Sequence, residues 1–242
     1  MKILVSWSSG KDSAWMVHVL RQQSLPIGGL LTTINEAAQR VAMHAVRVDV
    51  LNAQAEAIGA PLWMVPIPSP CPNDVYERAM ADAVARAVRE GFTHAAFGDL
   101  FLEDIRRYRE ERLAGSGLTP LFPLFDRDPA WTRRLAREMI EAGLRARITC
   151  VDPKALDASF AGREFDAALL ADLPASVDPC GERGEFHTCA YAGPMFGRPI
   201  AIERGITVER DGFVFADLTL VSKRVGRGFQ PRQATLKGSP YV

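Results

Sequence analysis

The chain has 242 residues, with 29 basic and 29 acidic side chains and a hydrophobic share of 48%. A net charge of zero creates no overall attraction to nucleic acid or to a membrane surface, and the hydrophobic share suffices for one large or two small domains. Four cysteines in a chain of this length indicate reduced thiols, and no apolar stretch approaches the ~20 residues of a membrane-spanning helix, so we expect a cytoplasmic protein.

The first predicted strand is followed by a turn of small and polar residues. Residues 2–6 form a short apolar run typical of a buried strand, and apolar residues recur at helical spacing from Asp12 to Gln23. The connecting turn, residues 8–13, reads SSGKDS. Backbone N–H groups at such a helix N-terminus bind anions, and Lys11 adds a cation. The turn therefore predicts a phosphate site.

Two common nucleotide motifs are absent from this turn. Gly10 and Lys11 are followed by Asp12 rather than Ser or Thr, as a Walker A loop would require, and the G-x-G-x-x-G of a dinucleotide fold is missing. An ordinary structural turn, with Ser8 or Asp12 capping the helix, is the alternative.

Strands and helices alternate over the next hundred residues. Further strands are predicted at residues 28–33, 62–67, 95–97, 121–125 and 146–151, and helices at residues 43–58, 73–90, 102–113 and 132–141. Asn73 or Asp74 is the predicted cap of the third helix in the chain. This alternation predicts an α/β fold with a parallel, Rossmann-like sheet over residues 1–125.

Beyond Pro174 the pattern changes to short strands. These are predicted at residues 186–191, 200–203, 207–210 and 213–220, and Asp211-Gly212 is a hairpin signal between the last two. We therefore predict a smaller α+β domain over residues 126–242, with the functional site in the cleft between the two domains.

Two further segments carry clustered polar residues. Residues 98–113 begin with Gly98-Asp99 directly after a predicted strand, and the carboxyl ends of strands in open sheets bind ligands. Residues 178–188 read DPCGERGEFHT, in which Glu182 and Glu185 lie in a glycine-flanked loop. An ordinary acidic surface turn is the alternative for this loop.

Together these three segments resemble the diphthine–ammonia ligase family of PP-loop ATP pyrophosphatases. Residues 8–13 are similar to the S-G-G-x-D-S loop of those enzymes, with Ser9 in place of the first glycine. The E-G-G-E-[FY]-x-T motif of the family is matched at Glu182, Gly184, Glu185, Phe186 and Thr188, while Arg183 departs from it. The resemblance extends from residue 1 to about residue 200 and implies an adenine nucleotide alpha hydrolase (HUP-type) fold.

The resemblance implies an AMP-forming ligase that uses ATP, Mg²⁺ and ammonia. ATP would adenylate a carboxylate, pyrophosphate would leave, and ammonia would attack to give an amide. The predicted nucleotide contacts are Ser8, Ser9, Gly10, Lys11, Asp12, Ser13, Gly98 and Asp99. Lys11, Glu182 and Glu185 are the predicted catalytic residues, the two acids handling ammonium or its proton.

Several of these residues also have simpler interpretations. Asp12 either meets Mg²⁺ or caps the first helix, and Asp99 either contacts metal or ribose or caps the helix that follows it. Glu103 and Asp104 fall in that helix's first turn, where the helix dipole alone favours acids. Three residues near the second strand could reach the nucleotide, although an amphipathic helix explains them as well: Arg40, His44 and Arg47.

Cys180, His187 and Cys189 raise a zinc hypothesis, but their spacing does not form C-x-x-C pairs and alternation along a strand leaves only two soft ligands on one face. We therefore interpret them as buried cysteines and a hydrogen-bonded histidine.

Two other functions remain open at the level of sequence. One is a nucleotide-binding or sensing protein with little turnover. The other is a PP-loop tRNA-modifying enzyme that moves sulfur through cysteine persulfides, although no C-x-x-C occurs in the chain. The carboxylate acceptor, a protein and a tRNA among the candidates, is not identified by the sequence, and a homodimer is expected.

The end of the chain is basic. Residues 222–242 contain five basic residues and no acid: Lys223, Arg224, Arg227, Arg232 and Lys237. A loosely docked tail is the simplest interpretation, and contact with a phosphate-bearing or acidic macromolecule is the functional one.

Overall fold

A computed structural model describes residues 1–221, so the basic tail lies outside the described residues. The strands are β1 (Ile3–Ser6), β2 (Ile27–Asn35), β3 (Arg40–Val41), β4 (Leu62–Ile67), β5 (His94–Ala96), β6 (Thr119–Leu121), β7 (Arg145–Val151), β8 (Phe186–Ala192), β9 (Ile202–Arg210) and β10 (Phe213–Leu220). The α-helices are α1 (Lys11–Gln22), α2 (Val48–Ile58), α3 (Asn73–Arg89), α4 (Glu103–Leu113), α5 (Thr132–Glu141) and α6 (Ala167–Asp172).

The first sheet is mostly parallel and has the strand order expected of a nucleotide-binding fold. β1 pairs with β2 and β5, β2 with β4, and β5 with β6, all in parallel. Leu30 and Leu31 of β2 pair with both β1 and β4, so β4 lies on the far side of β2. The chain therefore runs outward from β1 in one direction and then returns to β1's other side at β5. The crevice at the carboxyl ends of β1 and β5 is where such sheets bind ligands.

The second sheet is antiparallel, in the order β8-β7-β10-β9. Asp211 and Gly212 both have positive φ angles, of 53° and 81°, so the predicted hairpin turn between β9 and β10 is confirmed. One hydrophobic cluster contains residues from both sheets, including Val5 and Met16 on the parallel side and Ile148 and Phe186 on the antiparallel side. The predicted combination of a parallel sheet with a smaller α+β unit is confirmed, while the boundary at residue 125 stays a prediction.

The predicted helix over residues 43–58 begins too early. Met43 and Ala45 have φ angles of 61° and 55°, which a helix does not allow, and residues 40–41 pair antiparallel with the end of β2. Residues 40–47 form a hairpin in which Val41 and Val46 are buried. The apolar residues of this hairpin have a spacing similar to that of a helix, which is why the predicted helix included them. In the structure α2 starts at Val48.

Three other boundaries differ from the predictions. β6 ends at Leu121, where a strand was expected to begin, because Phe122 and Phe125 close a turn around Pro123. The two strands expected at residues 200–210 are the single strand β9, since a bulge opposite Asp217 accommodates Gly205. Pro72, rather than Asn73 or Asp74, is the N-cap of α3.

None of the helices within residues 1–221 combines the length and the apolar character needed to cross a membrane.

Candidate functional site

The turn after β1 brings three serines to the N-terminus of α1. Ser8 Oγ lies 3.1 Å from Ser13 Oγ and accepts a hydrogen bond from Gly10 N at 3.3 Å. Gly10 is the N-cap and no side chain caps the helix, so the simpler interpretation of Ser8 or Asp12 as a cap is wrong. Ser9 has a φ angle of 71° and is fully buried. The turn thus has a compact internal bonding pattern with the helix dipole directed at its open side.

Lys11 is almost completely buried at the start of α1. Its Nζ donates to Asp12 Oδ2 at 2.9 Å and to the carbonyl oxygen of Cys180, and it lies over the rings of Phe165 and Phe186. Burial alone would lower the pKa of Lys11, but the nearby acidic groups, Asp12 first among them, together outweigh it and the pKa is raised. Lys11 is therefore a fixed positive charge at the turn.

The two carboxylate oxygens of Asp12 have different surroundings. Oδ2 pairs with Lys11, while Oδ1 is buried and has no hydrogen-bond partner among residues 1–221. Burial raises the pKa of this carboxyl despite the adjacent ammonium group. An orphaned carboxylate oxygen facing a polar cavity is suited to a cation.

Gly98 and Asp99 follow β5, as predicted, and line the polar cavity together with residues of the turn after β1. A Cβ on Gly98 would lie 3.3 Å from backbone atoms of Asp12 and Ser13, so glycine permits the close approach of the two loops. Both carboxylate oxygens of Asp99 bind Arg109 of α4, at 2.6 and 3.0 Å. The N-cap of α4 is Leu102, so Asp99 does not cap that helix.

The third wall of the site is the loop before β8. Glu182 Oε1 accepts a hydrogen bond from Leu100 N at 2.7 Å, which ties this loop to the end of β5. Burial, reinforced by the charge of Asp12, raises the pKa of Glu182 to about 8. A carboxyl group with such a pKa exchanges its proton near neutral pH.

Unlike Glu182, Glu185 does not line the polar cavity. Its two oxygens accept hydrogen bonds from Asp178 N at 2.9 Å and Arg183 N at 3.0 Å, and the side chain is buried. Asp178 in turn accepts from Cys180 N and Glu182 N and from the hydroxyl of Thr132. Glu185 is thus not among the cavity-lining residues, and it holds the loop that presents Glu182.

Strand β8 closes the site beside the turn. Thr188 Oγ1 accepts a hydrogen bond from Lys11 N at 3.1 Å, and its carbonyl oxygen lies 3.0 Å from His44 Nδ1. His44 and His187 stack with their ring centroids 4.6 Å apart. Burial lowers the pKa of His44 to about 4 and that of His187 to about 3, so both rings are neutral at pH 7.

These segments enclose two adjoining cavities. The smaller, ≈ 250 Å³, is polar and is lined by Lys11, Asp12, Asp99, Glu182 and both stacked histidines, among others. The larger, ≈ 530 Å³, lies between the parallel sheet and helices α3 and α4. Ser6, Ser8 and Arg109 line both cavities, so the two adjoin near the end of β1.

Other predicted residues do not line these cavities. Ser9 and Gly10 line neither of them, and neither do Glu103 and Asp104. Glu103 pairs with Arg127 at the surface.

The hairpin residues divide into two groups. Arg40 and Arg47 both pair with Asp217 of β10, at 2.8 and 2.6 Å, and so fix the 40–47 hairpin to the second sheet. His44 does line the polar cavity, although from a turn rather than a helix.

Several residues that organise the site have no role that the sequence alone indicates. Thr188 stood in a recognised motif, and His187 was considered only as a zinc ligand. Arg109 falls within the predicted second segment, but its partner Asp99 lies ten residues away in the preceding loop. Gln54, Asp178 and Thr132 act through contacts between distant parts of the chain, and a single sequence carries no signal for such contacts.

Two protein-family models match the chain. The model described as "Diphthamide synthase N-terminal domain" matches residues 1–113, and the one described as "Diphthamide synthase C-terminal domain" matches residues 131–224. No curated protein was found to match the chain. The two domain models match in the expected order and together span most of the chain, including all three walls of the site. The chain therefore belongs to the diphthamide synthase family, the diphthine–ammonia ligases, and membership implies an ATP-utilising enzyme of the ligase type.

Proposed function

We propose that the protein is an AMP-forming ligase that adenylates a carboxylate and transfers ammonia to it. The observation that carries this proposal is the meeting of three polar segments at the carboxyl ends of β1 and β5, around the buried Lys11. The turn after β1 combines a helix N-terminus, hydroxyl groups and a fixed cation. These groups suit the β and γ phosphates of ATP.

The two cavities fit the two ends of ATP. The polar cavity offers Ser8, Lys11 and Ser13 to the phosphates. The larger cavity has mainly apolar walls, including Leu31, Val41 and Met80, and a volume suited to a nucleoside. Since Ser8 and Arg109 line both cavities, an ATP molecule that spans the two cavities would have its α phosphate near these residues.

Asp12 fits the role of a magnesium ligand. Its buried Oδ1 lacks a partner within the described part of the chain, and Mg²⁺ in nucleotide sites is commonly held by one or two carboxylates together with phosphate oxygens. The cation would offset the charge of the phosphates. Lys11 keeps Oδ2 of the same carboxylate in place, so the two residues act as one unit.

Glu182, in its ionised form, is the group best suited to accept the proton that ammonium releases. It lines the polar cavity, and its raised pKa of about 8 lies close to the pH at which the transfer would occur. Glu185, predicted as a second catalytic acid, is better explained as the residue that positions this loop.

ATP binding to the Lys11→Met variant tests the phosphate site. We expect the Kd for MgATP to rise at least about tenfold, because the buried cation is lost. Since burial already raises the pKa of Asp12, its carboxyl can take up a proton when Lys11 is removed, which limits the loss of stability. Titration calorimetry on both proteins measures the effect.

Lys154→Met, an exposed lysine in the turn after β7, is the matched control and should bind MgATP like the wild type. Unchanged MgATP affinity in a folded Lys11→Met protein would contradict the proposed phosphate site.

A further inference from the structure

The backbone of the phosphate turn is held in a conformation that serine rarely adopts. Ser9 lies at a φ angle of 71°, in the left-handed region that glycine enters without steric cost. Its hydroxyl is buried and has no partner among residues 1–221, so no hydrogen bond of its own side chain compensates for this conformation. The surrounding structure must therefore impose it.

Two donors from separate elements hold the carbonyl oxygen of Ser9. Ala190 N of β8 donates to it at 2.9 Å, and Gln54 Nε2 of α2 donates to it at 3.0 Å. Gln54 is fully buried and also forms hydrogen bonds with Trp7 and Ala190. Its Oε1 accepts from Trp7 Nε1 at 3.3 Å, and its Nε2 donates to Ala190 O at 2.6 Å.

This one side chain therefore joins the turn after β1 to a strand of the second sheet. The peptide that follows Ser9 leads directly into Gly10, the N-cap of α1, and the direction of that peptide sets the direction of the first turn of the helix. A change in the Ser9 conformation would therefore redirect the first turn of the helix, whose residues Lys11, Asp12 and Ser13 line the polar cavity.

We propose that Gln54 is a positioning residue for the phosphate turn: its amide group clamps Ser9 in the left-handed conformation that aims the start of α1 at the ligand. This inference rests on the proposed function, because it assumes that the turn binds phosphate. Gln54 itself lines neither cavity.

A double-mutant cycle between Gln54 and Ser9 tests the proposal. Gln54→Met keeps the volume of the side chain but removes all of its hydrogen bonds, and we expect the Kd for MgATP to rise about tenfold. Ser9→Gly alone should change the Kd less than about threefold. In the Gln54→Met/Ser9→Gly protein the Kd should return to within about threefold of the wild-type value, because glycine needs no clamp to adopt this φ angle.

Two controls separate positioning from stability. Ser9→Ala in the Gln54→Met background removes the same hydroxyl but keeps the steric cost, so it should not restore binding. Val214→Ala weakens the packing of β10 in the second sheet and lines neither cavity, so it should lower the melting temperature while leaving the Kd unchanged. If Gln54→Met does not fold, Gln54→Asn, which shortens the side chain, takes its place with the same expected rescue.

The outcomes distinguish this inference from the proposed function. If the wild type binds MgATP but Ser9→Gly fails to rescue the Gln54 variant, Gln54 does not act through Ser9 and the inference is wrong. A wild-type protein that does not bind MgATP would instead contradict the proposed function itself.

Discussion

Among the individual residues, Glu182 has a carboxyl group whose raised pKa should make the stability of the protein depend on pH. Its ordinary pKa is 4.5, and in the folded protein the pKa is raised to about 8 by burial and by the nearby charge of Asp12. Between these two values the folded state binds the additional proton. The stability contributed by the protonated group is therefore fully present below about pH 4.5 and is lost as the pH rises towards 8.

Replacing Glu182 by Gln should remove this pH dependence. The amide oxygen can still accept the hydrogen bond from Leu100 N, but no charge has to be buried. We expect the melting temperature of the ligand-free Glu182→Gln protein to exceed that of the wild type by about 3 °C or more at pH 8, with the difference vanishing near pH 4. Differential scanning calorimetry across this range measures it.

The exposed Glu111→Gln is the control for this experiment and should show no such trend. A constant difference between wild type and Glu182→Gln at every pH would contradict the raised pKa.

It was easier to predict from the sequence which residues meet at the candidate site than what each of them does there. Ser8, Lys11, Asp12 and Glu182 were predictable because each lies in a short motif whose chemistry is local. The separation of Glu182 from Glu185 was not, since it depends on which carboxylate meets backbone N–H groups after the loop has folded. The left-handed φ angle of Ser9 has a signal in the sequence only through the glycine that the family motif has at this position.

At the scale of elements, the loop over residues 178–185 depends on the carboxylate of Glu185. Glu185→Gln replaces one acceptor oxygen by an NH₂ group that faces a backbone N–H, which costs about 1–2 kcal/mol. For a protein of this size the melting temperature should fall by about 3–6 °C. We expect the Kd for MgATP to stay within about threefold of the wild-type value, because Glu185 does not line the cavity.

Glu182→Gln is the matched comparison, since it changes the same chemical group at the cavity wall without the same loss of backbone hydrogen bonds. An unchanged melting temperature of Glu185→Gln, together with complete loss of AMP formation, would contradict the positioning role and favour the direct role predicted from sequence.

Elements with a simple pattern were predictable to the residue. β4, α5 and β10 have the bounds expected from their apolar periodicity. The hairpin over residues 40–47 was not predicted, because it depends on pairing with β2 and on the ion pairs of Arg40 and Arg47 with the distant Asp217. A local sequence pattern does not indicate contacts between residues that are 170 or more positions apart.

At the scale of the whole molecule, the site is built where two sheets meet. The parallel sheet supplies the phosphate turn and the Gly98-Asp99 loop, and the antiparallel sheet supplies β8 and the loop that precedes it. The order of strands and helices was enough to predict this two-part architecture. The docking of β8 onto the turn, through Ala190 and Thr188, could only be seen in three dimensions.

Some expectations at this scale stay predictions. These are the homodimer and the cytoplasmic location. The macromolecular contact of residues 222–242 concerns a segment outside the described residues.

The products formed from α-labelled ATP test the proposed reaction most directly. The purified protein would be incubated with Mg²⁺, ammonium and a small-molecule cell extract as the source of acceptors, with Lys11→Met as the control. Cleavage between the α and β phosphates predicts labelled AMP together with pyrophosphate, and the variant should form neither. Labelled ADP together with inorganic phosphate would contradict the ligase mechanism proposed for this site.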